Sequence, residues 1–157
     1  MGTIAMYLAD IENLNGRLRH DPALYDENFG AAVSVNGWEH IVTTITEEGE
    51  LIATLDYSVS THAAFWDTFI ADIVDPTFTT DGTQTSFSDR LTHRPIAQLH
   101  PTELSYGYLT CDELADCDTI STPTQELSIE HTRLWEALVS AIRAARQHHR
   151  DLIAIVE

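Results

Sequence analysis

The chain has 157 residues, 43% of them hydrophobic, with 25 acidic against 8 basic side chains and a formal net charge of −17. It is long enough to bury one core without disulfide or metal staples, and too apolar for a disordered chain. All basic residues are arginine and lysine is absent, which excludes P-loop and kinase-type phosphate lysines, Schiff-base chemistry and Ser-Lys dyads.

In chain order, Ile4, Tyr7, Leu8, Ile11, Leu14 and Leu18 have the spacing of one helical face and predict a helix over 3–20. Asp10, Glu12, Asn13, Asn15 and Arg17 interrupt any signal-peptide apolar core in this stretch. Asp21-Pro22 reads as an N-cap followed by proline at the first helical position, opening a short helix to about Phe29 that Gly30 ends. Residues 38–46 and 51–59 predict a hairpin. Leu51, Ala53, Leu55, Tyr57 and Val59 alternate with Ile52, Thr54, Asp56 and Ser58, and Glu47-Glu48-Gly49-Glu50 supplies a turn with Gly49 at positive φ.

Ser60 or Thr61 caps a predicted helix to about Val74, with Phe65, Trp66, Phe69, Ile70, Ile73 and Val74 on its apolar face and Pro76 beyond its end. The polar, threonine-rich stretch 77–95 predicts a long loop. Ile96–Leu99 and Leu104–Leu109 predict two short strands around Pro101, and 110–121 a second, acidic loop. Thr122-Pro123-Thr124-Gln125 forms a helix start. The helix it opens carries Leu127, His131, Leu134, Trp135, Leu138, Ile142 and Ala145 on one stripe, with Arg143, Arg146 and Arg150 at its negative end. Leu152 to Val156 is a continuous apolar run, the pattern of a strand buried on both faces and far short of the ~20 residues that span a bilayer. Together these elements predict a single α+β domain: a mixed or antiparallel sheet of about five strands, packed by three to four helices.

The charge admits three explanations. An acidic tail fails, because the acids run along the whole chain. Mimicry of nucleic acid requires acids such as Glu47, Glu48, Glu50 and Asp56 on one face, but gives no reason to eliminate lysine. Adaptation to molar salt explains both: carboxylates hold water, and their repulsion is damped where the Debye length falls to about 3 Å. Arginine is then retained where its planar geometry is useful.

Reactive constellations are loose. His93 and His100, with Cys111 and Cys117 downstream, lack the close pairs of a structural zinc site. His148 and His149 are adjacent and diverge on a helix. The acid groups Asp112, Glu113, Asp116, Asp118 and Asp75, Asp81, Asp89 lack the regular spacing of a calcium loop. No metal and no cofactor is assigned. Cys111 and Cys117, in CDELADC, have a spacing that can close a small disulfide loop, but in an intracellular chain they read as reduced and structural.

The fragment Leu8-Ala9-Asp10-Ile11-Glu12-Asn13-Leu14 resembles the opening of PIN-like and NYN-type ribonucleases. There an aspartate ends the first strand and helps bind a metal. The resemblance implies a metal-dependent hydrolase or nuclease using Asp10 and Glu12; the acid cluster that those families carry at later strand ends is absent from this sequence.

The remaining signal is the arginine distribution. Residues 20–89 contain no basic side chain other than histidine, while Arg133, Arg143, Arg146 and Arg150 gather on one helix, with Arg17 and Arg19 near them if the terminal helices pack side by side. At −17, phosphate backbones are repelled at ordinary salt, so these arginines point to a protein partner or a second copy. The expectation is a non-catalytic interaction or assembly protein of a halophilic archaeon or its virus, such as a tailed-virus head–tail connector or tail-completion subunit. The same reading expects it to be cytoplasmic or virion-associated, not secreted by a signal peptide, and without a membrane partner. An acidic inhibitor mimicking nucleic acid to block a nuclease or defence complex is the alternative.

Overall fold

Residues 3–9 form a strand, β1 (Gly2–Ala9), and not the first turns of a helix. Ile4, Met6 and Leu8 enter one core and Ala5, Tyr7 and Ala9 another. A strand covered on both faces shows no polar alternation, so its apolar spacing coincides with that of a helical stripe. The computed structural model describes residues 2–20, 25–26, 31–32, 37–57, 77–80, 83–97, 105–115 and 129–157.

The helix begins only at Ile11. Asp10, in an extended conformation, caps α1 (Ile11–Arg19) by accepting the backbone N–H groups of Glu12 and Asn13. Where a short helix was expected after Asp21-Pro22, β2 (Tyr25–Asp26) pairs antiparallel with β3 (Ala31–Ala32). The first arm of the predicted hairpin is helical, α2 (Gly37–Glu48). Residues 41–46 are all β-branched and favour a strand by propensity. Ile41 and Ile45, one helical turn apart, are completely buried, and that burial overrides propensity. Thr46 Oγ1 donates to the Val42 carbonyl (2.8 Å), which absorbs its hydroxyl within the helix. Gly49 closes the helix by donating its N–H to Ile45 O (2.7 Å) and is not a hairpin turn.

The second arm is a strand, β4 (Glu50–Tyr57), and it pairs antiparallel with β1. Its register passes from Met6↔Ala53 to Tyr7↔Leu51, so Ile52 is the extra residue of a bulge on a sheet edge. The stretch expected as a long loop holds β5 (Thr77–Thr80), β6 (Thr83–Ser86) and α3 (Phe87–Thr92). Ile96 and Ala97 are buried but belong to no strand of the main sheet. The second strand expected around Pro101 is present as β7 (Ser105–Leu109). A short helix, α4 (Cys111–Ala115), replaces the start of the acidic loop. The chain continues through α5 (Ile129–His148) to β8 (Asp151–Val156), whose residues from Leu152 onward are buried on both faces as expected. The predicted helix over 61–74, the helix start at Thr122–Gln125, His100 and Cys117 lie outside the described residues.

The main sheet has the order β4-β1-β8-β7 and is wholly antiparallel. The fold is therefore α+β, with four strands in this sheet where about five were expected, and five helices among the described residues. Leu134, Leu138, Ala141, Ile142 and Ala145 of α5 pack on one face with Phe87 and Leu91 of α3 and Leu114 of α4. Leu14 and Leu18 of α1 and Ile41 and Ile45 of α2 pack on the other. Gly107 lets α3 approach β7: a Cβ there would lie 2.2 Å from Arg90 O. Among the described residues, no helix is long and apolar enough to cross a membrane.

Candidate functional site

Two features of this scaffold gather polar chemistry: a cleft at one end of the sheet and the outward surface of α5.

The cleft, of about 380 Å³, is lined by Asp10, Ile11, Glu12, Thr110, Cys111, Asp112, His149, Arg150 and Asp151. β8 lies between β1 and β7 and runs antiparallel to both, so its first residue, Asp151, sits beside the ends at which those strands turn into helices. Asp151 Oδ2 accepts the Ile11 N–H (2.9 Å) and Oδ1 accepts the Cys111 N–H (2.7 Å). One carboxylate thereby joins the first turns of α1 and α4, where the helix dipole favours negative charge.

The termination of α5 delivers Asp151 to this position. His149 adopts φ 52°, and the Arg150 N–H reaches back to Ala145 O (3.0 Å), the left-handed helix stop that glycine usually provides. Thr110 caps α4 and is tied to Glu113 in both directions. Thr110 Oγ1 accepts the Glu113 N–H (3.2 Å) and donates to Glu113 Oε1 (3.0 Å). The sequence Thr110-Cys111-Asp112-Glu113 is the signal that identifies this helix, hidden in a stretch whose acidity reads as a loop.

Glu113 also anchors a half-hidden ionic cluster. Arg90 donates to it at 2.5 Å and Arg94 at 2.8 Å, with side-chain exposures of 6% for Arg90 and 16% for Glu113. Arg94 stacks on the Tyr108 ring at 4.0 Å. Burial pushes the Glu113 carboxyl up, but hydrogen bonds from Arg94 and Arg90 outweigh it and hold the group below its ordinary value.

Asp10 and Glu12, the residues that the ribonuclease resemblance singles out, do share the cleft with Asp112 and Asp151, and Asp10 directly follows β1 as the cap of α1. Yet Asp10 Oδ1 is occupied by two backbone N–H groups, and each Asp151 oxygen by one. Among the described residues no group of three or more His, Cys, Asp or Glu side chains is arranged to hold a metal ion. Cys111 is a free thiol.

The six arginines singled out by the sequence do not form one surface. α1 and α5 pack on opposite faces of the sheet, so Arg17 and Arg19 are separated from the α5 group. Arg17 pairs with Glu47 at 2.6 Å and with Glu48, while Arg19 is exposed. Arg150 lies 3.7 Å from Glu50, and Arg146 is half-buried. Arg133 and Arg143 are exposed, on the outer face of α5 with Ile129, Glu136, Ser140 and Gln147. Of the acids suggested for phosphate mimicry, Glu47, Glu48 and Glu50 face arginine and Asp56 accepts a hydrogen bond from Thr3.

Comparison of the chain with protein-family models, curated proteins and solved structures gives no match.

Proposed function

We propose that this chain is a salt-adapted, non-catalytic interaction or assembly protein of a halophilic archaeon or its virus, working through the outer face of α5. A head–tail connector or tail-completion subunit is a role of this kind. The observation that supports the reading most is the fate of the arginines. In a chain with no lysine, Arg17, Arg90, Arg94 and Arg150 all lie against carboxylates. Arg19 of α1 and Arg133 and Arg143 of α5 stand exposed, with no ion pair to a carboxylate among the described residues, and the last two share one helix face. Salt adaptation favours carboxylates at the surface, so exposed arginines run against the composition, and arginine is well suited to recognising a carboxylate partner.

The test is photo-crosslinking from Ser140→Cys carrying a reactive label, in molar KCl with host extract, read by mass spectrometry. Arg133→Glu with Arg143→Glu is expected to abolish the crosslinked species. A strict monomer that crosslinks to nothing overturns the reading.

A second reading, a metal-dependent hydrolase using Asp10 and Glu12, is favoured by their sharing a cleft with Asp112 and Asp151. It requires manganese or magnesium binding that Asp10→Asn weakens by tenfold or more. Unchanged binding, or none by calorimetry, removes it.

A further inference from the structure

We infer that the partner met by α5 is a second copy of this chain, docking the outward side of its α2; the inference rests on the interaction reading above. The main sheet separates the two surfaces, because α5 belongs to one core and α2 to the other. They therefore point away from each other, and their charges are complementary.

On α5, Arg133 and Arg143 are exposed and ten positions apart, about 15 Å along the helix axis at its rise per residue. On α2, Glu39 and Glu47 are exposed and eight positions apart, about 12 Å by the same rise. Glu47 and Glu48 share Arg17, so that end of α2 keeps one uncompensated negative charge. Two cations, with Glu136 between them on the same face, thus meet two acidic positions at similar separation.

The alternative of α5 against α5 matches fewer charges, since each copy sets two exposed arginines against one described acid of that face, Glu136. An antiparallel contact centred on the stripe sets Arg133 of one copy opposite Arg143 of the other. Net charge does not forbid self-association in molar salt, since charges beyond about 3 Å are screened there and only those in contact are felt. Each copy then offers one cationic and one acidic face on opposite sides. The contact is heterologous, and its repetition gives a stack that does not close as a pair. Contact through single helices belongs to the small, transient interface class, so the assembly grows with concentration.

Sedimentation velocity in molar KCl tests this. The wild-type chain is expected to shift to larger species as concentration rises. Arg133→Glu with Arg143→Glu, and separately Glu39→Arg with Glu47→Arg, are each expected to remain monomeric, with unchanged circular dichroism. Mixing the two double variants is expected to restore association, because their faces are complementary again. Association that persists in both variants, or fails to return on mixing, overturns the inference. A wild-type chain that stays monomeric also overturns it. The interaction reading survives that outcome if Ser140→Cys still crosslinks a different protein through α5, and falls if it crosslinks nothing.

Discussion

Replacing Asp151 by asparagine tests whether one carboxylate holds the two strand-end helices. The side chain accepts two backbone N–H groups from residues far apart in sequence, 140 positions in the case of Ile11. Asparagine keeps one acceptor oxygen and turns an NH₂ group toward the other N–H, so one bond is lost and two donors face each other. A hydrogen bond to a charged group contributes about 2 kcal/mol, and the surviving bond weakens by about 1 kcal/mol on becoming neutral. The helix-dipole contribution, below about 1 kcal/mol at a surface, is largely screened in molar salt. The expected loss is about 3 kcal/mol, or about 6–12 °C in Tm for a chain of this size. Asp10→Asn is the control. Asp10 also accepts two N–H groups, but through a single oxygen, and asparagine caps helices as well as aspartate does, so a change within about 0.5 kcal/mol is expected. The assay is urea unfolding by circular dichroism in molar KCl, with hydrogen exchange at the Ile11 and Cys111 amides. Equal losses for the two variants, or unaltered exchange at both amides in Asp151→Asn, would refute the reasoning.

Gly107→Ala sets a Cβ 2.2 Å from a backbone carbonyl and is expected to cost about 3 kcal/mol by displacing α3 from β7; wild-type stability in thermal melts would show that α3 does not pack there. His149→Gly relieves a left-handed residue at φ 52° and is expected to stabilise by about 1 kcal/mol in denaturant titrations. Glu113→Gln leaves Arg90 and Arg94 without their shared carboxylate and is expected to cost about 2 kcal/mol at neutral pH, less than a fully buried pair because the site is partly exposed. The folded-state carboxyl titrates below its ordinary value of 4.5. The stability it adds is therefore complete above pH 4.5 and lost as pH falls through the folded value, so the gap between wild type and variant must close on acidification. A gap that widens on acidification would contradict the assignment.

The elements that could be read from the sequence are those whose patterns are unambiguous. α5 has a long amphipathic stripe ending in arginines, and β8 is a terminal apolar run. β1 was misread because burial on both faces erases the period-two signal and leaves Ile4, Tyr7, Leu8 and Ile11 on a helical template. α2 differs from the expected hairpin arm because its β-branched run suits a strand, while the Ile41–Ile45 spacing decides its burial. Part of the cleft is legible: Asp10 and Glu12 stand out as a pair, whereas the helix start at Thr110-Cys111-Asp112-Glu113 is masked by the acidity that reads as a loop. Asp151 carried no local signal, since its partners are distant in sequence. The sharing of Glu113 by Arg90 and Arg94 likewise depends on α3 and α4 meeting beside β7, which no spacing along the chain encodes. Arg17 and Arg133 are alike as sequence features; only the sheet between their helices separates them.

The position of β8 bears on how the chain is assembled. This strand, reached only after α5, lies at the middle of the sheet, between β1 and β7. Until residues 151–156 leave the ribosome, β1 and β7 have no shared neighbour, and the apolar sides of α1 and α5 have only half a sheet on which to pack. The pairing of β1 with β8 also closes a loop from Ile4 to Val156, the kind of contact that slows folding and prolongs exposure of apolar surface. Of the four strands of this sheet β8 is thus the last to be made, and it enters a gap between two strands that precede it in the chain. A carboxylate at the head of that strand, taking up the first amides of α1 and α4, is well placed to set its register as it enters.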